Sequence, residues 1–189
     1  MNPRLRAGIL AEAATMTTAS GWGALTMSAL AKRVGVSRQT IYNEFGTKAD
    51  LGEAVILNEL LRFLAEVEGG FADHPGDMVG SVRAACRRVF ELAAVDPIVH
   101  AALAANLGAA TELLPMLTTR SLGLIEIATE TVKVLLAPYP IALSEAEFGT
   151  AVDAVIRVVL SKVMDPGLPP EENAESMAWL AERVLPLAD

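Results

Sequence analysis

Apolar residues recur three and four positions apart along almost the whole of this chain, and nowhere do they alternate with polar ones over a useful length. That spacing puts side chains on one face of a helix, whereas a half-buried strand needs a period of two. The expected fold is therefore all-α. With 189 residues there is room for one ordinary domain, or for a small module fused to a larger one. A first helix is expected from about Arg4 to Ala19, with Leu5, Ile9, Leu10, Ala13 and Met16 on one stripe and a stop near Gly21. Trp22 follows as an apolar anchor.

The next segment carries the sharpest local signal. Thr26 can cap a short helix from Met27 to Val34, in which Leu30, Ala31 and Val34 share a side. Gly35 ends it and Ser37 can cap the next, so three residues separate two short helices, the pattern of a helix-turn-helix. Glycine suits this turn because a positive φ is inexpensive without a Cβ. Val36 is placed to plug the joint. In a helix from Arg38 to Glu44, Ile41 and Phe45 point inward and leave Arg38, Gln39, Tyr42 and Asn43 facing out.

Thr47 to Asp50 reads as a capping-box-like start, with Asp in place of the usual Glu or Gln, for a long helix through Leu51, Val55, Ile56, Leu60, Leu64 and Val67. Its end is expected at Gly69-Gly70. Further helices are expected at about Asp77 to Val95, Pro97 to Leu107, Leu113 to Leu136 (or from Pro115), Ser144 to Asp165 and Glu171 to Leu187, about nine in all. Pro97 suits a first helical position. The breaks at Pro138 to Pro140 and Pro166 to Pro170 isolate the last two helices as an antiparallel pair.

Composition narrows the function. Apolar residues are 52% and charged ones 20% of the chain, which suits a folded helical protein rather than a disordered one. The net charge of −8 is unevenly spread. Residues 1–50 hold six basic and three acidic groups, a charge of +3, and the remainder carries −11. A small basic reader on an acidic body is the implied arrangement. The longest apolar stretches, such as Ile98 to Leu107, fall short of the roughly 20 residues a membrane span needs. Nothing near the N-terminus resembles a signal peptide, so the expected location is cytoplasmic. Cys86 is the sole cysteine, and His74 and His100 are far apart, so neither a disulfide, a metal site nor a cofactor is expected. Cys86 reads as a buried structural thiol. No Gly-rich phosphate loop, Gly-x-Ser-x-Gly elbow or histidine pair at metal spacing points to an enzyme.

From Ile9 to Leu51 the chain resembles the TetR family of bacterial regulators. The matching residues are Ile9-Leu10, Ala13-Ala14, Gly21-Trp22, Thr26, Leu30-Ala31, Val34 to Ser37, Thr40 to Tyr42, Phe45-Gly46, Lys48 and Leu51. The resemblance implies a three-helix helix-turn-helix head, residues 1–48, and a helical effector-binding and dimerisation body, residues 49–189. The partners it implies are double-stranded DNA with a palindromic operator, a second copy of the chain and a small effector. It also implies that Thr40, Tyr42 and Lys48 touch phosphates. Thr26 and Ser37 cap helices whose amide-rich N-termini can approach the DNA backbone, so they join the phosphate set. Arg38 and Gln39 are the expected base readers, because arginine pairs bidentately with guanine and glutamine with adenine. Asn43 is a third candidate, against the alternative of a solvated face. Many relatives carry glycine at the position of Gln39. For Tyr42, core packing of the ring stands beside the phosphate role.

In the body, Val155, Val158 and Val159 and then Met177, Leu180 and Val184 form apolar stripes. Two readings stand: a four-helix dimer seam or intramolecular core. Effector-pocket candidates are His100, Asn106, Arg120 and Glu126, the sparse polar groups of a central segment otherwise rich in leucine, alanine, valine and methionine. That lining favours a small lipophilic effector, which by tilting the long fourth helix would release a repressor from its site. The run Ser37 to Phe45 also looks like regulators of alkane or fatty-acid metabolism. The competing reading is a protein-interaction module with a helix-turn-helix fold that no longer reads DNA.

Overall fold

The computed structural model describes residues 2–100 and 121–188, all-α apart from one isolated bridge. They fall into two compact units, one of residues 2–60, 96–100 and 121, the other of residues 61–95 and 122–188.

In the first unit, α1 spans Pro3–Ser20, α2 Met27–Val34 and α3 Arg38–Phe45. The N-terminal part of α4, Lys48–Asp73, completes it. Each start and stop has a local cause. The Asn2 side chain accepts from Arg4 N at 3.0 Å with Pro3 at the first helical position, and Gly21, at φ 79°, closes α1. Ile9, Leu10 and Ala13 from α1, Leu30 and Ala31 from α2, Ile41 and Phe45 from α3, and Leu51 and Val55 from α4 form one buried cluster with Trp22 and Leu25. Val36 packs on it, as its place in the turn suggests. Asp96, buried, accepts from the amides of Ile98 and Val99 at 2.9 and 3.0 Å, so Pro97 does open a helical segment, seen over residues 97–100.

In the second unit α5, Met78–Val95, is buried along most of its length. α6 is Ser121–Leu136, α7 Glu145–Met164 and α8 Pro170–Val184, with α8 packed on α5 and α7 on both. The part of the third body helix expected before Ser121, and the end of the one begun at Pro97, lie outside the described residues. α7 opens with a full capping box, Ser144 and Glu147, whose hydroxyl and amide bonds hold the Glu147 carboxyl below the usual carboxylate range. Buried Asn173 ties the α7–α8 turn: its amide donates to the carbonyls of Pro166 and Leu168 at 2.8 and 2.9 Å, and its oxygen accepts from Lys162 Nζ at 2.7 Å. No helix among the described residues is long and apolar enough to cross a membrane.

Two boundaries differ from expectation. α8 stops at Val184 rather than Leu187, because the tail turns to pair with the segment before α7: Ala142 N donates to Pro186 O and Ala188 N to Pro140 O, at 2.7 and 2.6 Å. α4 runs through Gly69 and Gly70 to Asp73. The glycines are there for packing. A Cβ at position 70 would lie 2.3 Å from Ala85 N and 2.4 Å from its Cα, so only glycine lets α5 come this close. At position 69 a Cβ would meet the end of Arg88, whose guanidinium bonds Asp73 at 2.6 Å.

The pair gives a contrast that urea unfolding can measure. Gly70→Ala must push two backbones apart and is expected to cost about 1–3 kcal/mol. Gly69→Ala meets a movable side chain and gains helix propensity, so it should stay within about 1 kcal/mol of the parent. Equal losses would contradict this packing. Burial pushes the Cys86 thiol up to about 12, so it stays protonated, and iodoacetamide should label it at the rate of unfolding rather than at that of an exposed thiol.

Candidate nucleic-acid interface

The turn between α2 and α3 is built from backbone upward. Gly35 adopts φ 78°, ψ 29°, and the amides of Gly35 and Val36 both donate to Ala31 O at 3.0 Å. Ser37 caps α3 by accepting from Thr40 N at 3.0 Å, and its hydroxyl lies 2.8 Å from that of Thr40. Thr26 caps α2 by accepting from Ala29 N at 3.1 Å. With Ile41 and Phe45 buried, Arg38, Gln39 and Asn43 are exposed on the opposite face of α3.

These outward groups are organised among themselves. Arg38 sits over the Tyr42 ring, 5.1 Å from its centroid, and donates from Nη2 to the phenol oxygen at 3.3 Å. Gln39 Nε2 donates to Asn43 Oδ1 at 2.7 Å. Tyr42 is half-buried, its ring packed against the head core while its phenol oxygen accepts from Arg38. Lys48 reaches back to the turn after α1, donating to Gly23 O at 3.2 Å with its ammonium 5.3 Å from the Trp22 centroid. Thr47 and Asp50 form the expected box at the start of α4, with Thr47 N donating to the carboxylate at 2.9 Å and Asp50 N to the hydroxyl at 3.1 Å.

Two contacts had no signal in the sequence. Arg6 pairs with Glu44 at 3.1 Å and lies 5.0 Å from the Phe45 centroid, which clamps the C-terminal end of α3 to α1. Arg33 pairs with Glu12, joining α2 to α1. Their partners lie 38 and 21 residues away, beyond any periodicity. Arg4 and Lys32 are exposed.

The body residues are placed less evenly. On α7 Val158 is 37% exposed, and Val155 and Val159 are half-buried, as are Leu180 and Val184 on α8. Met177 is 1% exposed, so it belongs to its own chain's core and has no surface left for a partner. Trp179, outside the expected stripe, is 58% exposed with Arg183 stacked 4.1 Å from its centroid. Of the pocket candidates, His100 and Glu126 are exposed. Asn106 and Arg120 lie outside the described residues. Among the described residues no cluster of His, Cys, Asp and Glu could hold a metal ion.

The chain matches two family models, "Bacterial regulatory proteins, tetR family" over residues 9–55 and "Bacterial Tetracyclin repressor, C-terminal domain" over residues 77–183. It is 29% identical to the HTH-type transcriptional regulator AlkX of Mycobacterium tuberculosis, over 98% of this chain and 85% of that protein. Its fold matches the crystal structure of the TetR family repressor AlkX from Dietzia sp. strain DQ12-45-1b, implicated in biodegradation of n-alkanes. That match has a TM-score of 0.75 and 26% identity, covering 95% of this chain and 94% of the other. NalD, the secondary repressor of the MexAB-OprM multidrug efflux pump in Pseudomonas aeruginosa, shares the fold with a TM-score of 0.57 at 19% identity, covering 98% and 97%. The second family model alone spans more than half of the 189 residues, and with the head match it shows that the chain belongs to the TetR family of transcriptional regulators.

Proposed function

We propose that the protein is a homodimeric repressor that grips a palindromic operator through its two heads and is released from it by a small lipophilic effector. The observation that carries this reading is the exposed face of α3, with Arg38 and Gln39 presented for base edges and Asn43 beside them. Thr26, Ser37, Thr40, Tyr42 and Lys48 flank that face as phosphate ligands. Two heads are needed because one short helix contacts few base pairs, and a two-fold dimer fixes the half-site spacing. The repressor sense and the lipophilic effector draw support from the AlkX of Dietzia, whose implication in n-alkane biodegradation suits a ligand of that chemistry. Such a regulator works in the cytoplasm, where the DNA is.

For the dimer, α7 and α8 are the proposed seam. Val158, Leu180 and Val184 keep their place in it, with Val155 and Val159 at its edge, and Trp179 takes the anchor position that Met177 vacates. A large exposed indole is the residue type whose burial dominates interfaces. The domain division at residues 48 and 49 is retained as a functional boundary between DNA contact and the rest.

Three measurements test the reading. Titration of the protein against its own upstream DNA should give saturable binding that weakens by roughly a thousandfold or more between 50 and 200 mM salt, as expected for several phosphate contacts. Absence of such binding to any upstream segment would contradict the function and favour a protein-interaction module. In the same assay Lys48→Ala should weaken all duplexes alike, whereas Arg38→Ala should also relax discrimination at one base pair of each half-site. Trp179→Glu is expected to shift the protein from dimer to monomer in sedimentation. A variant that remained dimeric would place the seam elsewhere.

A further inference from the structure

The outer face of α3 carries two parallel side-chain pairs, each joining a residue of the first turn to one four positions on. Arg38 is held by Tyr42, and Gln39 by Asn43. In the second pair the direction of the hydrogen bond matters. Gln39 Nε2 is the donor and Asn43 Oδ1 the acceptor, at 2.7 Å, so one of the two amide hydrogens of Gln39 is already committed. What remains at the tip of Gln39 is one acceptor, Oε1, beside one donor, the second Nε2 hydrogen.

An acceptor beside a donor is the complement of adenine, which offers its N6 amino hydrogen and N7 lone pair to the major groove. Guanine offers two acceptors there, O6 and N7, and would set O6 against Oε1. Without its support, the Gln39 amide could turn over or swing away and lose this preference. We propose that Asn43 is a positioning residue, not an independent base reader: by accepting from Gln39 it fixes the amide as a reader of adenine. The operator should therefore carry an adenine at one matching position in each half-site. This inference rests on the DNA-binding reading and deepens it.

The test is selection from a randomised duplex library by the full-length protein, followed by affinities for the four base pairs at each selected position. Gln39→Ala should abolish the preference for adenine at one position per half-site. Asn43→Ala should lower the preference at that same position by about fivefold or more. Asn43→Asp is the conservative rescue: its carboxylate still accepts from Gln39, so it should keep the adenine preference while repulsion from phosphates lowers affinity for every duplex. Both residues are exposed, so thermal unfolding midpoints should stay near that of the parent. The proposal is overturned if Asn43→Ala alters a different base pair from Gln39→Ala, leaves the adenine preference intact, or matches Asn43→Asp in losing it. In those cases the parent still selects a sequence and the DNA-binding reading stands. A parent that selects no sequence would remove both.

Discussion

The seating of α3 depends on two side chains. Ile41 and Phe45, four positions apart, enter the cluster made by Ile9, Leu10, Ala13, Leu30 and Ala31, and this burial decides which face of the helix is presented outward. Full burial of each such group stabilises by about 1.5–3 kcal/mol, and truncation to alanine costs more because a cavity remains. The ion pair of Arg6 with Glu44 acts at the same helix end, but with Arg6 43% exposed it is screened by solvent and adds less than about 1 kcal/mol. Packing therefore holds α3 in place, while the ion pair and the stacking of Arg6 on Phe45 fix the angle of its last turn.

Charge works differently in the head from the rest of the chain. All three acidic residues of the first 50 are engaged within the head: Glu12 with Arg33, Glu44 with Arg6, and Asp50 in the cap at Thr47. The remaining cations, Arg4, Lys32, Arg38 and Lys48, carry the head's excess. Arg38 and Lys48 each lie over an aromatic ring, a contact that holds a cation in place without neutralising it. A body of charge −11 is repelled by phosphate, which favours docking by the head.

What the sequence disclosed and what it hid separate along the range of the interactions. Gly35, Ser37 and Thr26 act within three or four residues, so turn, caps and the inward pair Ile41 and Phe45 could be read directly. The start of α4 was legible for the same reason. Gly69-Gly70 was misread as a stop because glycine is usually a terminator, and its real cause, the approach of Ala85 fifteen residues later, leaves no local trace. Met177 and Trp179 show the same limit on α8. An apolar stripe gives the face of a helix that is buried, but not whether its own chain or a partner covers it. The recurrence of TetR-type residues from Ile9 to Leu51 identified the family, because short-range constraints there are dense.

The central claim is that α3 enters the major groove as one half of a paired reader. Methylation interference on the protein's upstream DNA addresses it directly, since guanine N7 methylation blocks that groove alone. The account predicts two patches of interference, symmetrically disposed on one face of the duplex with centres about 10 base pairs or a multiple apart. Interference confined to the minor groove, or a single patch without a symmetry mate, would contradict it.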